Sequence, residues 1–209
     1  MEADPARSPS FEDLVEGTRG LQPWRRIFHA LTGVSVVVGI YLFDIPAGWA
    51  ALFLGGVVAL LLVVDIVRLK YPASNEFFFR CFRALASPRE ARGIASSTWY
   101  VSGMAIVLAL FPIDVATSAI LVLALADPAG SYTGQRWGRR PLLGGTVLGT
   151  AVFFFVAGVI LWLRHGPVVA LTAGLATTLA ERHSWPLDDN LAVPLVAGAV
   201  TAGVAALLG

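Results

Sequence analysis

The segment Leu191-Ala-Val-Pro-Leu-Val-Ala-Gly-Ala-Val-Thr-Ala-Gly-Val-Ala-Ala-Leu-Leu208 decides the fold, because it is an apolar run with no charged residue. A helix needs about 20 mostly apolar residues to cross the hydrocarbon of a bilayer. Asp188-Asp189-Asn190, two carboxylates and an amide, directly precede this run. A charge within hydrocarbon costs about 2.5–3.5 kcal/mol on insertion scales, so such residues usually mark a function. We therefore expect a membrane helix with polar, functional side chains at its N-terminal end.

Composition places the rest of the chain in the same class. Of its 209 residues, 56% are hydrophobic and 14% are charged, which is too apolar for a soluble domain of this size. Because lipid-exposed backbone must satisfy its hydrogen bonds internally, we predict an all-α integral membrane protein forming one polytopic bundle. The pair of segments around Pro112 could instead be one bent helix, giving six spans, but we prefer seven. The seven candidate segments are Ile27–Phe43, Trp49–Val67, Thr98–Phe111, Val115–Ala126, Leu143–Leu163, Val168–Glu181 and Leu191–Leu208.

Charge distribution predicts the domain organisation and orientation. We expect a short cytosolic arm over residues 1–22, whose mixed charges fit neither a secretory signal nor a transit peptide, and a transmembrane catalytic domain over residues 23–209. The single Cys81 excludes an intramolecular disulfide and a cysteine metal cluster. With seven spans, all 15 Lys and Arg residues except Arg164 fall on the side of the arm. The positive-inside rule places that side in the cytoplasm, so we expect a prokaryotic cytoplasmic membrane protein with a cytoplasm-facing site.

The polar motifs also lie on this predicted cytoplasmic side, whereas the helix interiors are nearly bare of charge. A channel or transporter usually needs polar groups along a path near the membrane midplane. One-sided polarity therefore favours an enzyme that takes a charged substrate from the cytosol. A non-enzymatic transporter or membrane scaffold remains the alternative.

Asp127 ends one of the apolar segments. It follows Asp114 by thirteen residues, which span roughly 20 Å of helix, less than the hydrocarbon thickness of about 30 Å. We expect Asp127 to be recessed below the surface, with the helix broken at Pro128 and Gly130 to line a wet cavity. The alternative is a helix-end aspartate in the headgroup zone.

A basic, glycine-containing loop is predicted between Gly130 and Gly145. Backbone amides exposed by glycine can cradle phosphates, and the forked guanidinium groups of Arg136, Arg139 and Arg140 can bind them. These arginines could equally form an ordinary positive-inside loop. The segment is not a Walker motif, because it contains no Gly-Lys-Ser/Thr.

The acidic triplet has two interpretations. Paired acids can share a divalent cation with phosphate oxygens, and hard oxygen ligands suit magnesium. Asn190 would then orient a carboxylate or contact a nucleotide. Alternatively, the triplet is a helix N-cap, for which one acid suffices. The nearby Glu181 and His183 favour a functional site.

Two pairs near helix ends complete the candidates. Arg26 and His29 are three residues apart and share a helix face. His29 lies one turn inside the apolar run, while Arg25 is interpreted as a topogenic charge. Asp65 and Arg68 also share a face, where a structural ion pair and a functional role are both open.

Several of these motifs, in this order, resemble a known family. They are Arg25-Arg26-Ile-Phe-His29, Arg89-Glu90, Ser96-Ser97-Thr98-Trp99-Tyr100, Ala126-Asp127 with Gly134 and Gly138, Glu181, and Asp188-Asp189-Asn190-Leu-Ala-Val-Pro194. Together they resemble the polyprenol kinase family, which includes dolichol, phytol and farnesol kinases and the CTP-dependent diacylglycerol kinase. The resemblance covers nearly all of the chain from Trp24, and its final motif is the most specific. It implies an integral membrane enzyme that phosphorylates a lipid hydroxyl, typically with CTP and a divalent metal.

The resemblance implies roles for individual residues, with Mg²⁺ or a similar cation as cofactor and CTP as phosphate donor. Catalytic roles are expected for His29, Asp127, Glu181, Asp188 and Asp189, and metal binding for Asp127, Asp188 and Asp189. Donor binding is expected for Arg26, Gly130, Gly134, Arg136, Gly138, Arg139, Arg140 and Asn190. The family often has Lys-Ser/Thr-x-x-Gly-Ser/Thr after the glycine loop. This chain has Arg140-Pro-Leu-Leu-Gly-Gly-Thr146 instead, so Arg140 would replace the lysine.

The leading hypothesis is a kinase acting on the hydroxyl of a membrane lipid alcohol, either an isoprenoid alcohol or diacylglycerol. His29 or Glu181 would orient the hydroxyl, and the apolar tail would enter laterally from the bilayer. The main rival is a transferase similar to phosphatidate cytidylyltransferase, which would use the same CTP and metal but release pyrophosphate. The expected partners are the lipid alcohol, a nucleoside triphosphate and membrane lipids, with no nucleic acid.

Overall fold

The computed structural model describes residues 10–183 and 187–209, and this part of the chain is helical almost throughout. The helices are α1 (Phe11–Glu16), α2 (Pro23–Leu42), α3 (Ala47–Lys70), α4 (Pro72–Cys81), α5 (Ser96–Leu110), α6 (Ile113–Leu121), α7 (Asp127–Trp137), α8 (Val147–His165), α9 (Pro167–Arg182) and α10 (Asp189–Leu208). A 3₁₀ turn over Pro88–Ala91 and a π turn over Val122–Ala126 interrupt this pattern. Strands β1 (Pro141–Leu142) and β2 (Gly145–Thr146) form a small hairpin.

Long apolar helices dominate the described residues. Five are long and apolar enough to cross a membrane, namely Pro23–Leu42, Ala47–Lys70, Ile113–Trp137, Val147–His165 and Asp189–Leu208. Helix α3 buries only Ala50, Leu54, Asp65 and Arg68 of its 24 residues, and so wide an apolar surface is suited to contact with lipid. The all-helical class is thus confirmed, and these helices indicate an integral membrane protein. The count of seven spans and the orientation remain predictions.

The most buried of these five candidate spans runs without a break from Ile113 to Trp137, through α6, the π turn and α7. The expectation of a broken helix at Pro128 and Gly130 is therefore wrong. A proline inside a helix removes one backbone hydrogen bond and normally clashes with the carbonyl four residues before it. Pro128 follows the π turn almost directly, and a π turn interrupts the regular α-helical bonding pattern at that point. The helix continues past Pro128.

This central helix organises the packing around it. It contacts α2, α5, α8 and α10, and the core includes the fully buried Ile120 and Leu123 with Phe153 and Leu161 of α8. Helices α5 and α6 are separate and pack against each other across Phe111 and Pro112. The two segments are therefore not one continuous helix, and whether each of them crosses the membrane stays a prediction.

The hairpin connects α7 to α8. Its two-residue turn has positive φ at both Leu143 (42°) and Gly144 (77°), as in the type I′ turns that suit the twist of a hairpin. Helix α8 consequently begins at Val147 rather than at Leu143 as predicted. Thr146 caps it, because its side chain accepts a hydrogen bond from the N–H of Gly149.

Candidate active site

A polar cavity of about 520 Å³ lies at one end of the bundle. Its walls come from the start of α2, the connection between α4 and α5, the start of α7, the end of α9 and the start of α10. The cavity brings together seven residues predicted from the sequence: Arg26, His29, Asp127, Glu181, Asp188, Asp189 and Asn190. Residues far apart in the chain, and all polar, therefore share one cavity.

Six predicted residues are not among those lining this cavity: Gly130, Gly134, Gly138, Arg136, Arg139 and Arg140. Gly130 and Gly134 are buried in α7 on the face against α8, and a Cβ at Gly130 would lie 2.8 Å from the carbonyl oxygen of Gly149. They allow the two helices to approach closely. The three arginines are exposed, in the last turn of α7 and just beyond it. The expectation of a glycine-rich loop beginning at Gly130 is therefore wrong, because the helix runs on to Trp137; donor binding by these residues stays untested.

The acids of the triplet are not equivalent. Asp188 is the N-cap of α10, and its Oδ1 accepts hydrogen bonds from the backbone N–H of Asn190 at 3.0 Å and from its Nδ2 at 2.6 Å. Asp127 and Asp189 accept no hydrogen bond and form no ion pair with any described residue. The N-cap interpretation of the triplet therefore applies to Asp188. The metal interpretation stays a prediction, for which Asp189 is left available.

Close packing of α10 against α5 fixes the position of the triplet. Pro194 has no N–H, so the carbonyl of Asn190, four residues earlier, receives no α-helical hydrogen bond from it. This carbonyl instead packs onto Gly103 of α5, where a Cβ would overlap it. Gly103 thus lets the first turn of α10 approach the cavity wall.

His29 has a defined geometry in the cavity wall. Its Nδ1 lies 2.9 Å from the carbonyl oxygen of Arg25, and its ring stands edge-on to Tyr100 with the centroids 4.5 Å apart. Tyr100 in turn donates its hydroxyl to the carbonyl of His29 at 2.6 Å. Because a carbonyl can only accept, Nδ1 must carry the proton, and the lone pair of the neutral ring is then on Nε2. The neutral imidazole therefore has its basic nitrogen free of any described partner.

Arg26 presents an unused donor. Its Nε donates to Ser131 Oγ at 2.9 Å, and its guanidinium lies 5.9 Å from the centre of the Tyr132 ring. Its Nη1 is buried and has no hydrogen-bond partner among the described residues. Buried donors are nearly always paired, so each exception needs an explanation. A bound anion in the cavity would provide one.

Several cavity residues from the connection between α4 and α5, and Arg25 beside them, were not predicted as site residues. Arg25, interpreted as topogenic, bonds Ser96 Oγ at 2.5 Å and forms an ion pair with Glu90 at 3.3 Å. Both partners line the cavity, as does Arg89. The signal was present only in the family motifs that contain Arg89-Glu90 and Ser96.

The buried ion pair Asp65–Arg68 anchors the connection between α4 and α5, which forms this part of the cavity wall. Arg68 donates to Asp65 Oδ1 at 2.6 Å and to the backbone carbonyls of Glu90 and Gly93, each at 2.6 Å. Asp65 accepts from Thr98 Oγ1 at 2.6 Å. Both ionic side chains are 2–3% exposed, yet their hydrogen bonds are satisfied. Of the two roles left open for this pair, the structural one fits, since it shapes the connection that carries Glu90.

Glu181 differs from the other cavity acids because its carboxylate pairs with the neighbouring Arg182. A carboxylate engaged by an arginine is a weaker candidate base than an unengaged imidazole. The geometry therefore favours His29 over Glu181 for that role. His183 is placed just after α9.

No metal site is preformed in the described residues, where no group of three or more His, Cys, Asp and Glu side chains could hold an ion. Magnesium, however, is commonly bound by one or two carboxylates together with phosphates of a substrate. Asp127 and Asp189, unengaged and lining the same cavity, fit that pattern.

The sequence was compared with those of known proteins. No protein-family profile and no solved structure matches the chain. The chain is 28% identical over 153 residues to CTP-dependent diacylglycerol kinase 1 of Schizosaccharomyces pombe, covering 63% of this chain and 70% of the relative. It is 25% identical over 204 residues to the protein of that name from Eremothecium gossypii, and the match covers 82% of this chain and 63% of the relative. It is 22% identical over 206 residues to the protein of that name from Saccharomyces cerevisiae, and the match covers 82% of this chain and 69% of the relative.

The chain therefore spans about two thirds of the length of these curated relatives. This similarity confirms the predicted resemblance. By its sequence, this chain is a distant homologue, at 22–28% identity, of CTP-dependent diacylglycerol kinase 1, and that enzyme is a member of the polyprenol kinase family.

Proposed function

We propose that this protein is a CTP-dependent lipid kinase that transfers the γ-phosphoryl group of CTP to the hydroxyl of a membrane lipid alcohol. The observation that carries the proposal is the polar cavity at the end of apolar helices, with two unengaged acids, Asp127 and Asp189, and an unpartnered arginine nitrogen. The names of the relatives favour CTP as donor and diacylglycerol as acceptor. An isoprenoid alcohol is the second acceptor candidate.

The donor phosphates would lie between the acids and the arginines. Asp127 and Asp189 would share Mg²⁺ with the phosphates, and the ion would supply charge neutralisation as the phosphoryl group transfers. Arg26 Nη1 would donate to a phosphate oxygen, with Arg25 and Arg89 on the facing wall. Phosphoryl transfer depends mainly on positioning and on stabilising charge, which these fixed groups can provide.

The acceptor hydroxyl would be oriented by His29. The oxygen of the acceptor hydroxyl forms the new bond to the γ-phosphorus. The bond from that phosphorus to the β-phosphate oxygen breaks at the same time, and CDP is released. The hydroxyl proton passes to Nε2 of His29, the nitrogen left free by the bond from Nδ1 to the Arg25 carbonyl. The products are the phosphorylated lipid and CDP, so atoms and charge balance.

The decisive experiment follows the label from CTP. Purified protein is incubated with Mg²⁺ and either diacylglycerol or a polyprenol, using CTP labelled at the α or the γ phosphorus. Transfer of γ label to the lipid is expected, with α label recovered in CDP. Lipid carrying α label, with pyrophosphate released, would show cytidylyl transfer instead. Failure of any lipid to acquire label from CTP or ATP would reject the kinase and leave a transporter or scaffold.

We also propose the seven-span topology with the cavity open to the cytoplasm. It is supported by the predicted charge asymmetry and by the presence of Arg25, Arg26 and Arg89 in the cavity lining. Reporter fusions at Ala86 and Gln135 should report cytoplasm, whereas fusions at Asp114 and Gly209 should report the outside. A cytoplasmic report from Gly209 would contradict seven spans.

A further inference from the structure

A second cavity is lined by the hairpin and by parts of α9 and α10. It has a volume of about 860 Å³, within the range of small-molecule sites. The hairpin contributes Leu143 to its wall, α9 contributes Ala176 and Leu179, and α10 contributes Val196. Apart from its end at Arg182 and His183, the lining is apolar. This groove therefore offers an apolar length and one polar end.

The polar end of the groove lies against the proposed active site. Glu181 lines the polar cavity and Arg182, the next residue, lines the groove. Because the apolar lining on α9 begins at Ala176, six residues before Arg182, the groove extends about 9 Å along the helix. The ion pair between Glu181 and Arg182 therefore has one partner in each cavity. A polar lining and an apolar lining adjoin at this pair, which is the order of groups in a lipid with a hydroxyl head and a hydrocarbon tail.

The hairpin supports a binding role for the groove through an unfavourable backbone conformation. Leu143 has a φ of 42°, in the left-handed region where glycine, asparagine and aspartate are preferred, and its side chain is 70% exposed. Strained residues of this kind cluster at ligand-binding sites. At the base of the hairpin, Gly145 lies directly on the Arg182 guanidinium, where a Cβ would overlap it. The turn is thereby fixed to the junction of the two cavities.

We propose that this groove binds the hydrocarbon chain of the acceptor lipid, so that its hydroxyl enters the polar cavity past Glu181 and Arg182. This inference rests on the proposed function and adds to it the location of the lipid tail. It assigns acceptor recognition to Leu143, Ala176, Leu179 and Val196, none of which was identified from the sequence.

The first test narrows the groove. Ala176→Phe is expected to raise the apparent KM for a long-chain diacylglycerol at least tenfold, and that for a short-chain analogue much less. The KM for CTP should not change, because the donor lies in the other cavity. Leu175→Phe is the matched control, since Leu175 is the preceding residue on α9, is 48% exposed and does not line the groove. Equal behaviour of the two variants would overturn the proposal.

The second test does not depend on turnover or on the folding of a variant. Wild-type protein without nucleotide is photolabelled with a diacylglycerol that carries a diazirine in its acyl chain. Label within residues 176–180 or at 196, displaced by unlabelled diacylglycerol, is the expected result. Label elsewhere, or label displaced equally by phosphatidylcholine, would overturn the proposal and assign the groove to bulk lipid. Correct labelling without phosphorylation would reject the kinase while retaining the groove.

Discussion

The substitution Arg26→Gln tests where the donor phosphates bind. Arg26 Nη1 is buried without a partner, whereas the Nε bond to Ser131 Oγ is already formed. If Nη1 binds a phosphate oxygen, the variant loses one charge-assisted hydrogen bond, worth about 1.5–3 kcal/mol. This corresponds to about 10- to 150-fold weaker donor binding. The affinity for the lipid should change much less.

The assay is equilibrium binding of a non-hydrolysable CTP analogue in the presence of Mg²⁺. Ser131→Ala separates the two bonds, because it removes the Nε partner but leaves Nη1 in place, and should weaken binding less than Arg26→Gln. Arg136→Gln is the matched control, since Arg136 is exposed at the end of α7 and does not line the cavity. If Arg136→Gln weakened donor binding tenfold and Arg26→Gln did not, the donor would be held by the exposed arginines at the end of α7, and the cavity assignment would be refuted.

Three further predictions concern the base, the cavity wall and the acids. His29→Gln should lower kcat about 10²- to 10⁴-fold, the usual contribution of a positioned base, with little change in either KM by steady-state kinetics; an unchanged kcat would remove His29 from the mechanism. Arg68→Met should lower the free energy of unfolding by about 3–5 kcal/mol because it leaves a buried carboxylate unpaired. Arg80→Met breaks an exposed ion pair and should lower it by about 0–1 kcal/mol. Thermal unfolding in detergent compares the two variants, and equal losses of stability would contradict the structural role of Arg68. Asp189→Asn should abolish the Mg²⁺ dependence of donor binding in a metal titration, while Asp188→Asn keeps a capping oxygen and should lose less; the reverse order would exchange their roles.

The sequence was a good guide wherever one segment determines its own structure. Apolar runs such as Leu191–Leu208 predicted helices because membrane helices satisfy their own backbone. Each predicted segment overlaps a helix, although the one predicted to end at Ala126 continues to Trp137. The polar residues at the ends of these runs were then expected on one side of the bundle. The structure brings seven of the predicted site residues into one cavity for that reason.

Features that depend on contacts between distant segments could not be predicted in this way. Arg25 is indistinguishable from a topogenic charge until Glu90, 65 residues later, is found beside it. Gly130 and Gly134 suggested a loop, because helix–helix packing and loop formation favour the same residue. The distinct roles of Asp188 and Asp189 depend on which of two adjacent carboxylates turns back to cap α10, and residue type alone cannot show this.

The π turn at Val122–Ala126 lies between α6 and Asp127. The number of residues in this turn therefore sets the direction of Asp127 relative to α6. Each residue of an α-helix adds about 100° of rotation and 1.5 Å of rise. Removing one residue from this buried turn would therefore rotate Asp127 by about a quarter of a turn relative to α6, while Asp127 itself stays chemically intact. The direction in which Asp127 faces the cavity thus depends on the number of residues within a fully apolar segment. Such a property is invisible to residue-by-residue substitution and accessible to single-residue deletion.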